Sequence, residues 1–222
     1  MITNTEDDCR VPDQKDYKSH WNQAYETSPT EKLGWYEKHS EPNLALIQEL
    51  HLAKDAAILN VGSGSSTLID DLLELNYTNL IASDISSKAL SILKSRLENE
   101  NDKVKYLLDD LTQSVKLSKL KDIDLWNDRA VLHFFVNEKD RKAYAKLVRS
   151  SVKKDGFVII SAFAKEGAKK CCGLDVVNYN LPMIQEVLGS DFEVQKWFHY
   201  TFINPNGDPR PYIYTLFKRM AA

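Results

Sequence analysis

The sequence predicts an α/β protein: a seven-stranded, mostly parallel sheet with helices on both faces, ending in an antiparallel C-terminal hairpin. Three observations predict it. Short apolar runs alternate with helical patterns between residues 57 and 162, the signature of successive βαβ units. The first run ends in Gly62-Ser63-Gly64, and a helical pattern follows at once. Two strand-like runs near the C-terminus flank a segment containing Asn206-Gly207, which favours a hairpin.

The elements follow in order. Residues 1–15 are polar and acidic and read as a fraying terminus, neither signal nor transit peptide. Residues 16–26 form a short helix with Tyr17, Trp21 and Tyr25 on neighbouring faces. A loop around Pro29 leads to Leu33-Gly34-Trp35-Tyr36. Ser40-Glu41-Pro42 supplies the cap and early proline of a helix start; Leu44, Ile47, Leu50 and Leu52 make most of its apolar face. Strands are then expected over 57–61, 79–84, 104–108, 123–126 and 157–162, with helices over 66–75, 87–98 and 139–152. Asp155-Gly156 reads as the turn into the fifth strand. Residues 192–203 and 212–217 form the closing hairpin across 204–209.

Composition narrows the class. The 222 residues suit one domain with a large α/β core. A net charge of −3 gives no electrostatic reason to expect nucleic acid as a partner. No apolar run approaches the ~18–20 residues of a membrane span. Three cysteines, an odd number, argue against a disulfide framework and for a reducing, cytoplasmic location.

The chemistry begins at the glycine pair. Gly62 and Gly64 remove Cβ atoms where a strand delivers its backbone to a nucleotide-like ligand at a helix N-terminus, and Ser65, Ser66 and Thr67 can cap that helix. Asp84 ends the second strand about 20 residues later, where a βαβ unit places a ribose-binding carboxylate. Asp128 and Arg129 follow the fourth strand, where such a sheet opens its crevice. Two readings are open there. One is a structural salt bridge; the other has Arg129 hold a ligand carboxylate and Asp128 orient a nucleophile. His133 reads either as a packed core histidine or as a general base. Trp21, Trp35 and Tyr36 read either as staples or as a lid. Cys171-Cys172 lacks zinc-site spacing, so no metal is expected.

The stretches Asn60-Val61-Gly62-Ser63-Gly64-Ser65-Ser66, Leu80-Ile81-Ala82-Ser83-Asp84-Ile85-Ser86, Tyr106-Leu107-Leu108-Asp109-Asp110-Leu111-Thr112 and the block 124–135, with the closing hairpin, resemble class I S-adenosylmethionine-dependent methyltransferases. The likeness covers roughly residues 40–219. It implies a Rossmann-like sheet over 40–222, behind an N-terminal segment and lid over 1–39. It implies S-adenosylmethionine as donor and S-adenosylhomocysteine as product. Gly62, Ser63 and Gly64 would border the methionine and ribose part. Asp84 would accept both ribose hydroxyls, and Ile85 would pack on the adenine. Asp110, with Asp109 as the competing assignment, would accept the adenine amine, and Leu111 would offer its amide. Asn127 would border the sulfonium, and Trp21 and Trp35 would cover the donor. Asn60 stands where the family usually has an acid.

A narrower likeness joins the block 126–148 and the early Trp21 and Trp35 segment to the thiopurine and thiol methyltransferase group. It implies a small-molecule acceptor, a thiol or other soft nucleophile, for a monomer or homodimer. Asp128, Arg129 and His133 are the catalytic candidates. A protein lysine N-methyltransferase is the alternative.

Overall fold

The computed structural model describes residues 16–100 and 102–221. The reading of residues 1–15 as a fraying terminus lies outside them. Five parallel strands carry the fold: β1 (Ile58–Val61), β2 (Leu80–Asp84), β3 (Val104–Leu108), β4 (Ile123–Arg129) and β5 (Val152–Phe163). A two-stranded hairpin, β6 (Lys170–Cys171) and β7 (Leu174–Asp175), stands apart. The chain closes with β8 (Phe192–Ile203) and β9 (Pro209–Arg219), and the main sheet runs β3-β2-β1-β4-β5-β9-β8. The last two strands are antiparallel to their neighbours. The predicted seven-stranded sheet is therefore present.

Among the described residues six α-helices accompany it: α1 (Tyr17–Thr27), α2 (Glu41–Glu49), α3 (Leu68–Glu74), α4 (Ser87–Arg96), α5 (Glu138–Ser151) and α6 (Leu181–Leu188). Two cores flank the sheet. On one side Trp126 and Ile160 meet Tyr144, Val148, Ile184 and Leu188. On the other Ile58 and Leu125 meet Ile47, Ile69, Leu72 and Leu93. Burial on both faces explains the near-continuous apolar sequence of β1 and β2.

Three local expectations are corrected, and two elements are added. β4 runs on through Asn127, Asp128 and Arg129, which pair with Ile159, Ile160 and Ser161. Their polar side chains hid the strand, yet Asn127 and Asp128 are fully buried because both are hydrogen-bonded. Asp155-Gly156 is an irregularity inside β5 rather than its start: Val152 already pairs with Ile123, and the register shifts before Leu125 meets Phe157. α2 ends before Leu50 and buries Pro42, Asn43, Leu46 and Ile47; Asn43 enters the core through its bond to Asn127. α6 and the β6–β7 hairpin are additions. α6 has a local signal, because the Asn180 side chain caps it by accepting from the Met183 amide, Pro182 enters its first turn and Gly189 ends it.

Candidate active site

β1 delivers the chain into a turn at Gly62 and Gly64, with φ of +55° and +53°. The Ser63 amide donates to the Ser83 carbonyl at 2.9 Å, joining the turn to β2. Asp84 then gathers the turn: its carboxylate accepts the Gly64 amide at 2.8 Å and the Ser86 amide at 2.7 Å. Burial pushes this carboxyl up to about 6, against those two bonds. Arg96 of α4 holds the same turn, donating to the carbonyls of Ser65 at 2.8 Å and Ser66 at 2.7 Å while pairing with Asp70. Nothing in the sequence near the glycines announces Arg96. Ser66 receives the Leu68 amide, whereas the Thr67 hydroxyl donates to the Glu37 carbonyl.

A cavity of about 410 Å³ opens above this turn, within the usual range for small-molecule sites. Trp21, Trp35, Gly62, Ser63, Asp84, Ile85, Asp110, Leu111, Asn127 and Arg129 all line it. Gly64 does not; its missing Cβ leaves room for the Tyr25 hydroxyl, which a methyl group there would meet at 2.1 Å. A Cβ on Gly62 would lie 2.0 Å from Cγ2 of Val131. Both glycines thus make room for the protein's own side chains.

The two neighbouring acids divide their work. Asp109 accepts from the Ser114 hydroxyl and the Val115, Lys116 and Leu117 amides. Burial opposes ionisation, but these bonds together hold it below the usual carboxylate range. Asp110 uses one oxygen for the Thr112 amide and hydroxyl, both at 2.8 Å. Across the sheet, Asn43 donates to Asn127 at 2.5 Å and Asn127 donates to Asn60 at 2.7 Å. Asn60 and Asn127 border the cavity from adjacent strands.

The N-terminal segment supplies one wall of this cavity. Trp21 meets Trp35 and Phe134 edge-on, with ring centres 5.5 and 5.1 Å apart. Trp35 donates its indole N–H to the Tyr25 hydroxyl at 3.0 Å. The Asn22 side chain docks α1 on the start of α4 by accepting from the Ser86 hydroxyl and the Lys88 amide.

Of the three catalytic candidates, only Arg129 reaches the cavity. It pairs with Glu37 at 2.8 Å, donates to the Trp35 carbonyl at 3.2 Å and lies over the rings of Phe202 and Tyr212. It is therefore engaged with the N-terminal segment, not with Asp128. Asp128 is fully buried and does not line the cavity. Its oxygens accept from the Val131 and Leu132 amides and the Tyr144 hydroxyl; burial raises it to about 7. It organises the end of β4 and is not placed to orient a nucleophile. His133 is also fully buried away from the cavity. Its Nδ1 accepts the Phe163 amide at 3.3 Å, and burial, aided by Arg129, lowers it to about 3. Its imidazole lies in the core and is not presented to a substrate in the cavity. No histidine lines the cavity among the described residues, and no group of residues there could hold a metal ion.

Residues 58–156 match the methyltransferase domain family. Over those residues this chain carries a methyltransferase domain. The fold agrees. A SAM-dependent methyltransferase from Anabaena variabilis superposes with a TM-score of 0.73 at 16% identity, over 91% of this chain and 93% of that one. N-methyltransferase NodS from Bradyrhizobium japonicum, in complex with S-adenosylhomocysteine, gives 0.67 at 11% identity, over 90% and 98%. In sequence, the methyltransferase is 25% identical over 170 residues to EEF1A lysine methyltransferase 2 of Danio rerio, covering 68% of this chain and 70% of that protein.

The cavity's lining suits S-adenosylmethionine, the donor that the sequence resemblance implies. The buried Ser63 hydroxyl lines the wall without a protein partner, and the Asp84 carboxylate is desolvated beside it. No helix of the described residues is long and apolar enough to cross a membrane.

Proposed function

We propose that the methyltransferase acts on a small-molecule nucleophile, a thiol or other soft acceptor. The cations of one cavity wall support this reading. Arg129, Lys170 and Arg210 line it close to Tyr212 and Cys171. Each is ion-paired, with Glu37, Asp175 and Asp208 respectively, and Glu37, Asp84, Asp109 and Asp110 line the same cavity. Arg210 still favours the thiolate of Cys172, and a thiol acceptor placed beside it would be helped in the same way. A thiol also suits a wall without a free histidine, since it needs no strong base.

When bound, the donor supplies an electrophilic methyl group on a sulfonium. The chain's task is alignment and the exclusion of water. In this reading Asp84 accepts the ribose hydroxyls, Asp110 accepts the adenine amine through its free oxygen, and Ile85 and Leu111 flank the ring. Gly62, Ser63 and Asn127 border the methionine end. Residues 1–39 act as a lid on a domain of 40–222, with Trp21 and Trp35 over the opening. The zebrafish lysine methyltransferase supports the alternative of a protein lysine acceptor.

Two measurements test this. Calorimetric titration with S-adenosylhomocysteine should show binding that Asp84→Ala abolishes; undiminished binding would remove Asp84 from the donor site. Tritiated methyl transfer should label members of a thiol panel. Label found only on protein lysines would replace the thiol reading by its alternative.

A further inference from the structure

Cys171 and Cys172 sit at the tip of the β6–β7 hairpin, and both line the cavity. The hairpin turn is Cys172-Gly173, with φ of +50° and +76°. Two successive left-handed residues make a turn of the I′ type, for which Asn-Gly is the favoured pair. Cysteine has no such preference, and a non-glycine residue in this region is held there only when its surroundings require it. The turn aims two adjacent thiols at one wall. Cys172 is exposed, while Cys171 is half-buried against the core.

We propose that Cys171 and Cys172 form a thiol–disulfide exchange site, which a low-molecular-weight disulfide converts into a vicinal disulfide. The two neighbouring thiols act on one another, raising the Cys171 pKa and lowering that of Cys172, with Arg210 favouring the Cys172 thiolate. The exposed sulfur is thus the attacking one and the half-buried sulfur the resolving one. With glutathione disulfide as oxidant, the Cys172 thiolate attacks one sulfur and the S–S bond breaks, releasing one glutathione. The Cys171 sulfur, losing its proton, then attacks the Cys172 sulfur and releases the second glutathione. Two protein thiols become one disulfide, and one glutathione disulfide becomes two glutathiones. The product removes both thiols from the wall beside Tyr212 and Arg210.

Intact-protein mass spectrometry tests this on the full chain carrying Cys9→Ser, so that only two thiols remain. After incubation with glutathione disulfide the protein should lose two hydrogen masses and recover them with dithiothreitol. With Cys171→Ser added, the reaction should stop at one glutathione adduct. With Cys172→Ser added, adduct formation should slow at least tenfold. An unchanged mass, or a lasting glutathione adduct on the chain that keeps both thiols, overturns the proposal. So does equal reactivity of the two single-thiol variants.

Discussion

The guanidinium of Arg129 lies 2.8 Å from the carboxylate of Glu37, tying the end of β4 to the N-terminal segment that lines the cavity. Both side chains are largely buried, 14% and 9% exposed. Burial raises the Glu37 pKa although Arg129 opposes it. Removing one partner would strand the other charge, which costs about 3–5 kcal/mol. Glu37→Gln should therefore lower the urea midpoint markedly, whereas Arg129→Met with Glu37→Leu should recover most of the loss. Equal stability of Glu37→Gln and the native chain would show that the pair carries no such role.

Gly62 is constrained by Val131. Gly62→Ala adds a methyl group at a left-handed φ, costing roughly 1–2 kcal/mol, and drives it onto Val131 Cγ2. Val131→Ala should relieve the clash but not the backbone cost. A double-mutant cycle in urea should accordingly give a coupling of about 1 kcal/mol or more. Strict additivity would mean the valine is not the obstacle.

Asp84 sets a pH dependence for donor binding. Its carboxyl in the free protein titrates at about 6. If the ribose hydroxyls donate to it, binding favours the ionised form. Affinity for S-adenosylhomocysteine should then rise with pH through about 6 and level off above it. Roughly tenfold weaker binding at about pH 5 than at about pH 7 is expected by calorimetry. The ligand-free fold moves the other way. With its folded pKa raised from 3.8, Asp84 contributes stability that is complete below pH 3.8 and lost as pH rises through about 6.

His133 should leave a mark on stability and none on catalysis. The unfolded chain takes up its proton near pH 6.5, but the folded one only near 3. Stability from this group is therefore present above 6.5 and lost as pH falls toward 3, by at most about 1.4 kcal/mol per pH unit. His133→Asn, which keeps an acceptor for the Phe163 amide, should flatten that loss in pH-dependent urea melts. The pH profile of methyl transfer should be unchanged; loss of a limb near neutrality would restore His133 as a base.

The glycine turn and its acid are legible in sequence because their parts are local. A strand, two glycines and an acid closing the next strand are read from spacing within one βαβ unit, and the turn and Asp84 do meet through the Gly64 amide. Asp109 and Asp110 could not be separated by spacing; the four groups gathered by Asp109 distinguish them. Asp128, Arg129 and His133 lie close in sequence, yet only Arg129 faces the cavity, because β4 continues and alternates its side chains across the sheet.

Alternating apolar periods, turn residues and one glycine-rich loop determined the α/β class and the succession of strands and helices, and marked the turn that borders the cavity. These are short-range properties, set by backbone sterics and by which face of each element must be buried. Tertiary structure alone decided that Glu37 answers Arg129, that Val131 and Tyr25 claim the space beside the two glycines, and that Cys171 and Cys172 border the cavity. Those choices depend on which distant side chains arrive at a buried polar group or an open volume, and chain spacing carries no record of that.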